Sequence, residues 1–195
     1  EIREVLFKEG IKISGEVLTG YDLILQKKSK TSSSKILATY ESPTLDKLVY
    51  WFMRKSINLY GETFLKTIAY HKKGKSDFKT GVAVLKEFWK SKGIPVAMIN
   101  FADGSGLSPQ NYVSAKAEVM ALQYAKKQPW FTAFHEGFPT QNNGMKMKSG
   151  TMRDTKSFAG YHKSADGKTY TFGILLNNYP GGGSEALQKV LNTLK

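Results

Sequence analysis

The chain has 195 residues, contains no cysteine and carries a formal net charge of +13 at pH 7. Its length suits one domain with a proper core, so we predict a single domain over residues 1–195. The absence of cysteine excludes disulfides, thiolate metal sites and cysteine nucleophiles. No apolar run approaches the length of a membrane helix.

The positive charge makes nucleic acid, anionic lipid and acidic polymers candidate partners. Lysines concentrate in two polar segments, residues 27–35 and 72–79, and both segments are predicted to be loops. Neither segment interleaves basic with aromatic residues, as surfaces for single-stranded nucleic acid do. We therefore expect a solvated basic surface and no nucleic-acid partner.

The first part of the chain is predicted to contain a helix over residues 1–9 and two strands over residues 22–26 and 35–40. Ser42 and Pro43 have the residue types favoured at the N-cap and at the first position of a helix. From there, apolar residues recur with the helical period in three segments. They predict helices over residues 43–54, from about 58 to 70, and over 80–92.

The second part begins with a loop rich in turn-forming residues over 103–111, followed by a predicted helix over 114–127. Three strands and a closing helix come next, over residues 145–151, 158–163, 170–177 and 184–194. The second and third strands are joined by a hairpin turn at 165–168. Helices in the middle of the chain and an antiparallel meander near its end predict an α+β fold, an antiparallel sheet flanked by helices.

The strand over residues 145–151 carries three consecutive residues with the chemistry of a peptide-binding edge. Lys148 supplies positive charge, Ser149 a hydroxyl for hydrogen bonding, and Gly150 close approach of the backbone. Such a site suits an extended peptide and its carboxylate. The same triplet is also common at the end of an ordinary surface strand, and the triplet alone does not separate the two interpretations.

A second candidate site lies at the predicted junction between two helices, where Ser56 and Asn58 are two residues apart. At such a junction side chains project into a cleft, where a hydroxyl can relay a proton and an amide can hold a substrate carbonyl. The spacing alone fits a helix cap equally well. The three histidines, His71, His135 and His162, form no pair at metal-ligand spacing, so we expect no metal site and no cofactor.

The two candidate sites belong to a series of segments that runs along the chain. Residues 55–62 read KSINLYGE and residues 103–108 read DGSGLS, with Asn111 after them. KSGT, FAGY and FGILLN then follow at residues 148–151, 158–161 and 172–177. In this order the segments resemble the class C low-molecular-mass penicillin-binding proteins, the D-alanyl-D-alanine carboxypeptidase/endopeptidase family. Two positions depart from that family, which usually has Asp at position 57 and Thr at position 149.

The resemblance implies the C-terminal part of a β-lactamase/transpeptidase-like fold and an enzyme that cleaves D-Ala-D-Ala peptides through an acyl-serine. It implies that Ser56 passes a proton toward the leaving amine, that Asn58 holds the substrate amide and that Lys148 supplies positive potential. Three strand residues are implied to bind substrate, and the backbone N–H of the last belongs to the oxyanion hole: Ser149, Gly150 and Thr151. The implied ligands are peptidoglycan peptides and β-lactams, in a periplasmic or other extracytoplasmic location.

The family's nucleophile lies in a Ser-x-x-Lys motif upstream of both other motifs, and this chain has no counterpart in that position. Residues 32–35 and 76–79 fit the spacing, but the first run lies in a predicted loop and the second follows Ser56 in the wrong order. We therefore expect the chain to be inactive alone and to need the N-terminal part of the same protein. Strands missing with that part would leave an unpaired sheet edge, which invites self-association.

A different interpretation is a non-enzymatic module that binds peptidoglycan or another polyanion and keeps the motif residues only as a groove. The charge of +13 supports it. Strongly salt-dependent binding without penicillin acylation would distinguish such a module from an enzyme.

Overall fold

The computed structural model describes residues 2–29, 36, 38–179, 181 and 183–194. The chain divides into two compact units, Glu1–Ser42 and Pro43–Lys195. Whether residues 1–195 act as the single domain expected from the length stays a prediction. None of the described helices is both long and apolar enough to cross a membrane.

The first unit contains two short helices, α1 over Ile2–Lys8 and α2 over Gly20–Leu25. At the start of α2, the Thr19 side chain accepts a hydrogen bond from the backbone N–H of Asp22 at 3.2 Å. In return, the Asp22 carboxylate accepts one from the backbone N–H of Thr19 at 2.7 Å. This capping box starts a helix, so the predicted strand over residues 22–26 is wrong.

The second predicted strand of this unit also differs from the structure. Residues 36 and 38–40 are not in a strand, and residues 35 and 37 lie outside the described part of the chain. None of the described side chains in this unit is buried. The structure of the unit therefore rests on local hydrogen bonds rather than on a core of its own.

The second unit opens with three helices, α3 over Leu45–Lys55, α4 over Asn58–Lys73 and α5 over Phe78–Ser91. These confirm the three predicted helices, although Thr44 rather than Ser42 holds the N-cap of α3. Helices α4 and α5 pack closely, because a Cβ on Gly81 would lie 2.7 Å from Cγ of Leu65.

The middle of the second unit combines a small ribbon with two helices. Strand β1 (Ile99–Asn100) pairs antiparallel with β2 (Tyr112–Val113), so the loop between them is closed at its base. Helix α6 (Ala115–Lys126) begins at Ser114, whose hydroxyl accepts from the backbone N–H of Ala117 at 3.2 Å. Helix α7 spans Phe131–Glu136.

A three-stranded antiparallel sheet and a final helix complete the second unit. The strands are β3 (Lys146–Met152), β4 (Thr155–Lys163) and β5 (Thr169–Asn177), in the order β3-β4-β5. Helix α8 covers Gly183–Asn192. The predicted meander and its closing helix are confirmed, and so is the α+β class. Among the described strands, β3 and β5 are the two edges of this sheet.

The sheet buries side chains on both of its faces. On one face, Met145 and Met147 pack with Phe172 and with Leu191 of α8. On the other face, Tyr161 packs with Leu122 of α6 and with Phe138, which follows α7. Because side chains alternate along a strand, Lys146 and Lys148 of β3 point to this second face. The two lysines therefore lie on the face of the sheet that packs against α6, opposite the face that packs against α8.

Candidate active site

The junction between α3 and α4 places the Ser56 hydroxyl in an unusual setting. Ser56 adopts φ 52° and ψ 48°, the left-handed region that residues other than glycine rarely enter. The N-cap of α4 is Ile57, which makes no side-chain capping bond, and Asn58 is the first helical residue. Neither Ser56 nor Asn58 therefore serves as the N-cap of α4. Ser56 is instead the C-cap of α3, where a left-handed residue is common, so the helix-cap interpretation also fits this position.

Lys148 of β3 reaches this junction. Its Nζ donates a short hydrogen bond to Oγ of Ser56, 92 positions away, and a second one to the backbone oxygen of Ser149 at 3.3 Å. Lys148 is partly buried, and burial lowers the pKa of its amino group. The structure thus brings together two of the residues that the sequence singled out separately.

The strand residues that follow Lys148 lie exposed on the edge strand β3. Ser149, Gly150 and Thr151 pair with residues 158, 157 and 156 of β4. A Cβ added to Gly150 would lie 2.7 Å from Oγ of Ser157 on β4. Packing between neighbouring strands therefore gives a second reason for glycine at this position, beside the approach of a substrate.

Within the loop between β1 and β2, the Asp103 carboxylate collects three hydrogen bonds. Asp103 accepts hydrogen bonds from the backbone N–H groups of Gly106 and Ser108 at 2.7 and 2.6 Å, and from Nδ2 of Asn111 at 2.9 Å. Oδ1 of Asn111 in turn accepts from the backbone N–H of Ala102 at 2.8 Å. The DGSGLS segment consequently has a fixed backbone course without regular secondary structure.

Glu62 joins this loop to α4, one helical turn after Asn58. Its two carboxylate oxygens accept hydrogen bonds from the backbone N–H groups of Gly104 at 3.0 Å and Ser105 at 3.2 Å. The two backbones also touch, because a Cβ on Gly104 would lie 2.1 Å from the backbone oxygen of Gly61. Sequence reasoning quoted Glu62 within a motif but assigned it no role. The sequence signal for this contact was the adjacent pair Gly61 and Glu62, together with Gly104 in the loop.

Residues 1–194 match the D-Ala-D-Ala carboxypeptidase 3 (S13) family. The chain belongs to this family. The resemblance inferred from its motifs is therefore confirmed.

Two relatives of this S13 member are longer than the chain itself. It is 25% identical over 206 residues to the D-alanyl-D-alanine carboxypeptidase DacB of Haemophilus influenzae, covering 96% of this chain and 41% of DacB. It is also 25% identical to the D-alanyl-D-alanine carboxypeptidase of Actinomadura sp. (strain R39), of which it covers 38%. The chain spans about two fifths of the length of these relatives.

Solved structures agree with this assignment. The crystal structure of penicillin binding protein 4 (dacB) from Haemophilus influenzae matches with a TM-score of 0.80 and 26% identity, over 93% of this chain and 42% of that one. The same protein complexed with a novel beta-lactam matches with a TM-score of 0.79. These matches confirm the fold predicted from the motifs.

Of the two Ser-x-x-Lys strings of this S13 member, the one at residues 76–79 lies within the described part of the chain. Residues 32–35 lie outside the described part of the chain. Ser76 directly precedes Asp77, the N-cap of α5, and so lies at the opposite end of α4 from Asn58. A helix of 16 residues is about 24 Å long. Ser76 is therefore too far from Ser56 and Lys148 to act with them.

The described residues offer no cluster suited to a metal ion. Among residues 2–29, 36, 38–179, 181 and 183–194, no three His, Cys, Asp or Glu side chains are grouped so that they could hold a metal ion. The ring of His135 packs among aromatic side chains, 5.3 Å from Phe131 and 5.4 Å from Tyr161 between ring centres. Its surroundings are those of a packing residue.

Proposed function

We propose that this chain is the C-terminal part of a serine-type D-Ala-D-Ala carboxypeptidase/endopeptidase that acts on peptidoglycan stem peptides in an extracytoplasmic location. The observation that carries the proposal is the contact between Lys148 Nζ and Ser56 Oγ, which joins two motifs across 92 positions. Membership of the S13 family supplies the reaction, in which a serine attacks a D-Ala-D-Ala carbonyl and water releases the acyl group.

In this proposal Ser56 relays a proton to the leaving amine. Its Oγ accepts from Lys148, so the hydroxyl hydrogen remains available to the cleft. The neighbouring ammonium favours negative charge on this oxygen, which makes the hydroxyl a better proton relay. Asn58, exposed at the first position of α4, holds the substrate amide.

The edge strand β3 supplies the substrate-binding side. An extended peptide can add to an exposed sheet edge as a further strand, where backbone hydrogen bonds give affinity. The Ser149 hydroxyl binds the terminal carboxylate, Gly150 allows the peptide backbone to approach, and the backbone N–H of Thr151 stabilises the oxyanion. All three residues are exposed, as this role requires.

The chain alone is expected to be inactive. The family's Ser-x-x-Lys nucleophile has no counterpart beside Ser56 among the described residues, because Ser76 lies at the far end of α4. Without the nucleophile there is no covalent route, and the other groups only bind. The N-terminal part of the same protein is therefore the partner that completes the site.

Exposure to a labelled penicillin, followed by intact-mass measurement, tests the proposal. The chain by itself is expected to show no adduct. The longer protein, carrying the segment that precedes Glu1, is expected to be acylated at a serine in that segment. In that protein, Ser56→Ala should slow acylation by about 10²–10⁴-fold, the usual contribution of a proton-transfer group. An adduct on Ser76, or a longer protein that never reacts, would overturn the proposal.

The rival function is a non-enzymatic module that binds peptidoglycan or another polyanion. The charge of +13 is the observation that favours it. Such a module would bind cell-wall polymer with a strong dependence on salt, and the longer protein would not be acylated. The same penicillin experiment therefore separates the two functions.

A further inference from the structure

A cleft of about 370 Å³ lies where β3 begins and β4 ends, with α6 and α7 along its side. Five of its lining side chains are basic: Lys126, His135, Lys146, His162 and Lys163. None of the proposed catalytic or substrate-binding residues lines it. The cleft thus has a chemistry that the proposed function does not use.

Three lysines reach this cleft from three separate elements. Lys126 is the last residue of α6, Lys146 the first of β3 and Lys163 the last of β4. The register pairs Lys146 with Tyr161, and Lys163 lies two residues further along β4, so these side chains share one face of the sheet. The convergence is therefore a product of the tertiary fold and not of a run in the sequence.

The cleft lysines lack a neutralising carboxylate. Within the part of the chain that the structure describes, the ion pairs involve other basic residues, and none of the three cleft lysines is in one. The positive charge of Lys146 acts inside the cleft. The pKa of His135 is lowered mainly by burial and, to a smaller extent, by the charge of Lys146. Glu136, beside His135, acts in the opposite direction on this pKa. The lysines' positive charges are thus available to a ligand.

The floor of the cleft is aromatic. The rings of Phe131 and Tyr161 lie 5.2 Å apart, and the Tyr161 hydroxyl already donates to the backbone oxygen of Leu122 at 2.8 Å. Because that donor is engaged inside the protein, the charged groups left to recognise an anion are the lysines. An apolar floor also lowers the local dielectric, which strengthens attraction between a lysine and an anion.

We propose that this cleft binds the oxyanion group, a carboxylate or a phosphate, of a small ligand. The three lysines hold the charged oxygens, and the rings of Phe131 and Tyr161 pack against the remainder of the molecule. Lysine ammonium groups suit this role because they act as mobile point charges toward carboxylates and phosphates alike. The inference does not depend on the proposed enzyme activity.

Proton NMR of His135 provides the test, with inorganic phosphate and acetate titrated separately at constant ionic strength. We expect a saturable shift of the His135 ring signal and a rise in the pKa of His135, because a bound anion offsets the charge of Lys146. Lys146→Ala or Lys126→Ala should weaken binding about five- to tenfold, as expected when one charged partner is lost. Lys116→Ala is the matched control, an exposed lysine on the same helix outside the cleft.

Each outcome decides the matter. Saturable binding of phosphate alone supports a phosphate-bearing ligand, and binding of both anions supports any oxyanion of suitable size. The proposal is overturned if neither anion gives a saturable shift. It is equally overturned if Lys116→Ala weakens binding as much as Lys126→Ala, since that would indicate a diffuse surface charge.

Discussion

The candidate active site has two sides, α4 with the loop of residues 103–108 and the strand β3, and they are held in place by different means. On the helix side, Glu62 accepts two backbone hydrogen bonds and Asp103 accepts two more, besides one from the Asn111 side chain. On the strand side, residues 149–151 are exposed and are held by pairing to β4 along one edge. A loop needs side-chain hydrogen bonds to keep one conformation, whereas a strand is fixed by its ladder and keeps its other edge free for a peptide.

Substitution of Gly104 should have the largest effect on this arrangement. In Gly104→Ala the new Cβ would lie 2.1 Å from the backbone oxygen of Gly61, so α4 and the loop must separate. We expect the free energy of unfolding to fall by about 3 kcal/mol, at the upper end of typical overpacking costs. Urea denaturation measures this change in the free energy of unfolding. Gly15→Ala is the control, because no atom lies within 4 Å of a Cβ there. Equal stability of the two variants would contradict the tight contact.

A partly buried carboxyl group packs against β5, and this should make the stability of the second unit depend on pH. Glu118 of α6 lies over β5, where a Cβ on Gly173 would be 3.0 Å from Oε2 of Glu118. Burial raises the pKa of Glu118 from 4.5 to about 7. Between these two values the unfolded chain ionises first, so stability is highest at low pH and falls as the pH rises toward 7.

A shift of this size corresponds to about 3 kcal/mol of lost stability above pH 7. We expect Glu118→Gln to remove most of the difference in unfolding free energy between pH 4.5 and pH 8. Glu87→Gln, at an exposed position, should leave that difference unchanged. A wild-type protein equally stable at both pH values would argue against a buried, protonated Glu118.

Removal of the Glu62 carboxylate should loosen the helix side alone. Glu62→Ala leaves the N–H groups of Gly104 and Ser105 without their acceptor, and a lost charge-assisted hydrogen bond costs about 1–3 kcal/mol. Amide hydrogen exchange at residues 104 and 105 is expected to accelerate, whereas exchange in β4 stays unchanged. Glu62→Gln, which keeps one oxygen, should have a smaller effect. Uniform acceleration across the unit would indicate general destabilisation instead.

Relief of the strained junction should give a small stabilisation. Glycine adopts the left-handed conformation of residue 56 at no steric cost, so Ser56→Gly is expected to raise the unfolding free energy by about 0.5–1 kcal/mol. The hydrogen bond lost to Lys148 reduces the gain. Ser91→Gly at the end of α5 is the control and should lower stability. Thermal unfolding compares the variants with Ser56→Ala, which loses the same hydroxyl, and a Ser56→Gly no more stable than Ser56→Ala would show that residue 56 is not strained.

The weakest expected effect concerns the open edges of the sheet. Sedimentation should show concentration-dependent self-association, because β3 and β5 are unpaired on one side among the described strands. Met152→Lys places a charge at the end of β3 and should reduce association. Val190→Lys, on the exposed side of α8, should not. A monomer at high concentration would count against an accessible edge.

The elements with strong periodic patterns could be predicted from the sequence, and its motifs contain the two residues that the structure brings into contact. The predicted helices α3 to α5 and the three predicted strands of the meander are confirmed, with ends that differ by a few residues. The family motifs indicated that Ser56 and Lys148 belong together, which periodicity alone cannot show. Their roles in a reaction stay predictions.

Two features that the sequence analysis did not predict, the start of α2 and the contact of Glu62, depend on hydrogen bonds between particular side chains and the backbone. Helix α2 begins with the reciprocal bonds of Thr19 and Asp22, which outweigh the strand-like residues that follow. The N-cap of α3 is Thr44 instead of Ser42, although Thr44 makes no side-chain capping bond. The contact of Glu62 with the loop spans 42 positions, and only the fold reveals it. The Thr-x-x-Asp spacing of residues 19–22 is a recognised capping signal, whereas the adjacent Gly61 and Glu62 do not by themselves identify the loop residues that they contact.

The contact between Lys148 and Ser56 has a consequence for the order of folding. Closing a chain segment of 92 positions costs about 4 kcal/mol of entropy before any contact offsets it. The packing of α4 against α5 and the hairpins of β3, β4 and β5 each join neighbouring parts of the chain, so they close short loops. The candidate site therefore assembles only when these preformed pieces dock, and it is among the last parts of the second unit to become native.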